Sequence, residues 1–131
     1  MKEKIKKTVS WTAQITASII LLQTLYFKFS GSEESVYIFS TLGVEPWGRL
    51  GAGAVELIAA VMLLIPRLAW MGAFISISAI TVAVISHLTV LGIEIMGDGG
   101  LLFSLAITVF ISSLTVLVLR KKTLSELLGD L

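Results

Sequence analysis

At 131 residues the chain suits a single domain, but 56% of it is hydrophobic and only 15% charged, against about 45–50% and about 25% in ordinary soluble domains. A net charge of +1, with basic residues flanking apolar runs, excludes a nucleic-acid footprint and hence a nucleic-acid partner. The lack of cysteine excludes disulfides, thiolate metal sites and thiol redox relays.

In chain order, four apolar segments emerge at 11–29, 47–65, 69–93 and 101–119, and the mean hydropathy is +0.95. At about 1.5 Å rise per residue they are roughly 24–38 Å long, which matches a hydrocarbon core of about 30 Å. The expected architecture is all-α: an integral membrane four-helix bundle forming one transmembrane domain over residues 1–131. The lysine-rich start reads as the flank of a retained first span, because the apolar stretch is longer than a signal-peptide core and no small-x-small site precedes Lys28.

After the first span, Ser32 followed by Glu33 and Glu34 reads as an N-cap with acidic residues in the first turn. Val36, Tyr37 and Phe39 supply an apolar face and Gly43 a stop. This predicts a short amphipathic helix on the outer surface between spans one and two, and Pro46 fits the first turn of span two. Pro66 and Arg67 mark the turn to span three, and residues 97–100 (Gly-Asp-Gly-Gly) mark the start of span four. Residues 123–131, with Leu124, Leu127 and Leu128, suit one or two amphipathic turns at the inner interface.

Orientation follows lysine and arginine. With the N-terminus inside, Lys2, Lys4, Lys6, Lys7, Arg67, Arg120, Lys121 and Lys122 are cytoplasmic, and only Lys28 and Arg49 lie outside. Both termini are therefore expected in the cytoplasm, and the lipid bilayer is the first partner.

Ionisable groups inside a membrane span cost on the order of 2.5–3.5 kcal/mol at its centre, so each is a candidate functional group. Glu56 falls near the midplane of span two. Gln23, His87, Arg49 and Lys28 lie roughly 5, 9, 10 and 12 Å toward the outside of their span centres, counted at about 1.5 Å per residue. Asp98 sits at the outer mouth. The inner half holds Gln14 and hydroxyls alone, so the polar group is expected to be one-sided and to form an outward-opening pocket.

Arg49, Ala52, Gly53, Glu56 and Ala60 share one small-residue face of span two, which is expected to turn into the bundle. Two readings of that face stay open: an Arg49–Glu56 ion pair that fixes helix register, or a ligand or proton site. His87 shares a face with Ser76 and Ala83, and is either a single hydrogen-bonded bundle histidine or a ligand or proton-relay group. One histidine with Glu56 and Asp98 supplies too few donors for a metal site. Ser104, Thr108, Ser112 and Thr115 on span four read as helix-packing hydroxyls.

With these residues in place, the chain resembles the DoxX-like family of small four-span bacterial membrane proteins. The resemblance rests on Tyr26-Phe27-Lys28-Phe29, on the 36–46 loop with Leu42-Gly43-x-x-Pro46, on Gly51-x-Gly53-x-x-Glu56-Leu57 with the apolar run after it, and on His87. It spans most of residues 20–90. It implies the bacterial cytoplasmic (inner) membrane and kinship with the membrane subunit of a thiosulfate:quinone oxidoreductase or with related oxidoreductase assemblies. By the same resemblance, Glu56, Arg49 and His87 would line a pocket for a quinone-like molecule, in an accessory or ligand-binding subunit with an oxidoreductase partner or further copies of itself. No flavin or nucleotide motif accompanies it, and the missing cysteine departs from members that work through thiols. Two other classes compete: a proton-coupled small-molecule transporter, and a structural or assembly protein without a ligand.

Overall fold

The computed structural model describes residues 2–120, and among these it contains helices and no strand. Helix α1 spans Lys2–Ser30, α2 Glu33–Thr41, α3 Trp47–Leu63, α4 Ala69–Ser86 and α5 Leu101–Leu119. A π-helical turn, His87–Leu91, extends α4. The four long helices run up and down around a square in which α1 packs on α3 and α5, and α4 packs on the same two. The expected C-terminal amphipathic turns at 123–131 lie outside the described residues.

Local signals set most boundaries. Ser32 caps α2, its hydroxyl accepting from the Ser35 N–H at 3.3 Å, and α2 ends against Gly43, whose φ of +78° a side chain would resist. Pro46 stands just before α3, one position earlier than a first-turn proline. Helix α3 stops at Leu63, short of the expected residue 65, because Leu64 and Ile65 already turn toward Pro66. The helical run that follows also ends early. Its last turn widens to π geometry at His87 and stops at Leu91, because Gly92 takes a φ of +82° that breaks the helix before Ile93.

Packing is close because the facing residues are small. Ala13, Ala17, Ala59, Ala60, Ala69 and Ala73 are buried together with Leu21, Leu63, Val109 and Val116. At Gly72 there is no room for a side chain: a Cβ would stand 2.8 Å from the Leu63 nitrogen and 3.0 Å from the Ala59 carbonyl oxygen. At Gly53 it would stand 2.8 Å from the Phe29 ring. The hydroxyl row on α5 does not make the expected helix contacts. Thr108 and Thr115 return hydrogen bonds to Ser104 O and Ile111 O of their own helix, while Ser113 crosses to Ser76 of α4 at 2.8 Å.

The distribution of polarity is inverted relative to a water-soluble bundle. Gln14, Ser18, Glu56, Ser76, His87 and Ser113 are buried, whereas Ile19, Ile58, Phe74, Val82, Ile85 and Ile111 are each more than half exposed. On length and composition alone, two helices are long and apolar enough to cross a membrane: Ala69–Leu91 and Leu101–Leu119.

Candidate functional site

Glu56 occupies the inward face of α3, as its spacing from Gly53 and Ala60 predicts, and is 8% exposed. A carboxylate so placed needs partners, and it finds them on α1. Lys28 Nζ lies 3.0 Å from Oε1, and the Thr24 hydroxyl donates to Oε2 at 3.2 Å. Thr24, Lys28 and Leu21 fall on one side of α1 at three- and four-residue steps, so the helix periodicity delivers both donors to the same carboxylate.

Arg49 is not the partner of Glu56, contrary to the ion pair that their shared face allows. Its Nε donates to both Glu45 oxygens, at 2.8 and 3.1 Å, and Nη1 donates to the Lys28 carbonyl. Glu45 is only four residues away, whereas Glu56 lies seven residues, or about 10 Å, along the axis. Arg49 therefore clamps the end of α1 to the segment before α3.

His87 is 6% exposed, and its ring meets Phe103 edge-on at 5.5 Å. Nδ1 lies 2.9 Å from the Gly92 carbonyl oxygen, a contact made by the π-turn, which also brings the Gly92 N–H onto His87 O at 2.8 Å. A carbonyl only accepts, so Nδ1 carries a proton and the neutral ring presents Nε2 as an acceptor. Among the described residues, the polar side-chain atom sealed from solvent without a partner is Trp70 Nε1. His87 Nε2 has no hydrogen-bond partner among the described residues.

His87 lines a cavity of about 190 Å³ together with Thr24, Lys28 and Glu56 and with apolar side chains such as Ile20, Ile80, Leu105 and Val109. Ser35, Ile38, Phe39 and Leu42 of α2 lie over it. The chamber is mostly apolar, and Ser32, Glu34 and Ser35, at the start of α2, add polar groups to Thr24, Lys28, Glu56 and His87. It offers the Lys28–Glu56 pair, the Glu34 carboxylate and the His87 imidazole, with no cluster of metal-ligating side chains among the described residues.

Three expected site residues fall elsewhere. Gln23 is exposed on the outer face of α1, one position away from the inward Thr24. Arg49 does not line the cavity. Asp98 organises the loop before α5, accepting from the Ile95 and Gly100 N–H groups at 3.0 and 2.8 Å through Oδ1 and from Leu102 N–H at 3.1 Å through Oδ2. Desolvation alone would raise its pKa, but the N–H groups of Ile95, Leu102, Gly100 and Leu101 outweigh it and hold the carboxyl below the usual aspartate range.

A second polar cluster forms at the opposite end of the bundle from the cavity. Gln14 is fully buried; its Nε2 donates to Leu63 O at 2.7 Å, and its Oε1 accepts from Ser10 at 2.7 Å and from Arg120 Nη2 at 3.0 Å. Arg120 also stands 6.0 Å from the centre of the Trp11 ring. In sequence Gln14 showed as a lone polar group, and only the fold brings residue 120 to residue 10. Compared with protein-family models, curated proteins and solved structures, the chain matches none.

Proposed function

We propose that the protein crosses a lipid bilayer with α1, α3, α4 and α5, both ends cytoplasmic. In this reading it serves as a ligand-binding, accessory subunit of a membrane oxidoreductase system, holding a quinone-like ring in the outer cavity. The distribution of polarity supports the crossing: apolar side chains face out on all four long helices, and Gln14, Ser18, Glu56, Ser76 and Ser113 are buried and hydrogen-bonded inside. Lys6, Lys7 and Arg120 at the inner end and the single Arg67 in the α3–α4 turn support the orientation. The resemblance of the 20–90 region to DoxX-like proteins supports a bacterial inner-membrane setting.

The observation that carries the ligand reading is that His87, whose Nε2 is left without a partner among the described residues, lines the same cavity as the Lys28–Glu56 pair. A ring bearing a hydroxyl can donate to Nε2, and its apolar edge fits the aliphatic walls. Titrating a benzoquinone–benzoquinol pair into purified protein, followed by tryptophan fluorescence, tests this. Glu56→Gln and His87→Ala are each expected to weaken binding about tenfold, near 1.4 kcal/mol; full affinity in both variants refutes the site.

A proton-coupled carrier has less support. Between the cavity and the inner Gln14 cluster lie Ala17, Leu21, Ala60 and Val109, and the hydroxyls at that depth, Ser18, Ser76 and Ser113, are bonded to a backbone carbonyl or to each other. No inverted repeat or broken helix offers a second access route. An assembly role without ligand predicts that pocket substitutions act through stability alone, which the same titration separates.

A further inference from the structure

The side of α4 that faces α3 changes character along its length. Gly72, Ala79 and Ser86 recur every seven residues and share that side. At Gly72 the row touches α3 backbone, at the spacing given above for a Cβ there. At Ala79 and Ser86 it lines the cavity instead, as do Ala52 and Glu56 of α3. The two helices therefore meet beside the turn that joins them and part toward the outer end. Val82, on the same side as Ala79 and Ser86, both lines the cavity and is 66% exposed, which marks it as the rim of a sideways opening.

Size decides what such an opening serves. About 190 Å³ falls short of the roughly 300–1,000 Å³ that encloses a drug-sized ligand, so a single substituted ring fills the chamber and anything longer must project out of it. Toward α2 the lining is polar as well as apolar, with Ser32, Glu34 and Ser35 beside Ile38, Phe39 and Leu42, and suits an aliphatic tail less well than the Val82 side. Between α3 and α4 the path leads past Val82 to the apolar outer surface that Ile58, Phe74 and Ile85 share.

From this we infer that the cavity takes the ring of a tailed, lipid-soluble amphiphile that enters sideways between α3 and α4, with the ring hydroxyl donating to His87 Nε2 and the tail passing Val82 into the acyl phase. The inference rests on the membrane and ring-binding readings above and adds the tail and the route.

The test compares a decyl-tailed benzoquinol with the tail-less benzoquinol of the same ring, each titrated anaerobically into protein in nanodiscs and corrected for partition into lipid. Wild type is expected to bind the tailed probe about tenfold more tightly. Val82→Trp, at an exposed position that leaves the core untouched, is expected to remove that advantage while the tail-less affinity stays within about twofold. Val82→Ala is expected to change neither probe. Equal loss of both probes, or tailed binding insensitive to Val82→Trp, overturns the sideways route and leaves ring binding standing. Binding of neither probe to wild type overturns both readings.

Discussion

Removing the lysine from the Lys28–Glu56 pair is the sharpest perturbation the fold offers. At 3.0 Å, with side chains 17% and 10% exposed, the gross attraction is about 5–6 kcal/mol at an effective dielectric near 20. Lys28→Met leaves the Glu56 carboxylate inside with Thr24 as its remaining donor, and breaking a buried pair from one side costs about 3–5 kcal/mol. The residual exposure favours the lower figure, about 3 kcal/mol. Glu56→Gln is milder, about 1 kcal/mol, because the amide keeps an acceptor for Thr24 and Lys28, near the outer end, can extend its ammonium to the interface. The double variant is expected within about 1 kcal/mol of Glu56→Gln, a coupling near 2 kcal/mol in a double-mutant cycle. Reversible denaturation in mixed micelles, followed by tryptophan fluorescence, measures all four proteins. If the double variant loses the sum of the two single losses, about 4 kcal/mol, the two charges do not depend on each other and the reasoning fails.

Gly72→Ala places a methyl against α3 backbone and should lower stability by about 1–3 kcal/mol in the same assay, whereas Gly51→Ala, whose Cβ would meet nothing within 4 Å, should not. Gln14→Leu removes the partner of a buried carbonyl and of Arg120, and is expected to lose about 1–3 kcal/mol in denaturation despite its greater hydrophobicity. Because the Asp98 pKa is lowered on folding, its contribution is complete above the unfolded value of about 3.9 and is lost as pH falls through the folded value. Asp98→Asn should therefore flatten the stability–pH curve below about pH 4 and leave its shape above that unchanged. Arg49→Met releases the clamp on Glu45 and on the Lys28 carbonyl, and should speed amide exchange across residues 30–46 with little change in the α4–α5 core.

Much of the fold was legible because its signals are local. The Ser32 cap, the Pro66 turn and the glycines at 97–100 each act within a few residues, and the inward face of α3 follows from small residues at helical spacing. The charge pairing was not legible, because it depends on which helices become neighbours. Lys28 reaches Glu56 only once α1 packs on α3, and residue 120 reaches residue 10 only when the bundle closes. Gln23 shows a different failure. Its depth along the helix placed it with the polar group, although the inward series Gln14, Ser18 and Leu21 continues to Thr24 and Lys28 and leaves residue 23 out. The π-turn at His87 had no signal beyond Gly92, since the turn's widening reflects the bond between Nδ1 and that residue's carbonyl.

The Lys28–Glu56 bond also bears on how the chain is made. Helix α3 has only 17 residues and carries an arginine and a glutamate, so it is a poor substrate for insertion by itself. The segment that neutralises its glutamate precedes it out of the ribosome by 28 positions, Lys28 to Glu56. In the four-crossing reading, α1 waits at the translocon with its ammonium in place, and α3 partitions into lipid as half of a hairpin already discharged. A chain whose first helix is delayed or exchanged would leave α3 stranded on the wrong side, an error in topology before it is an error in folding.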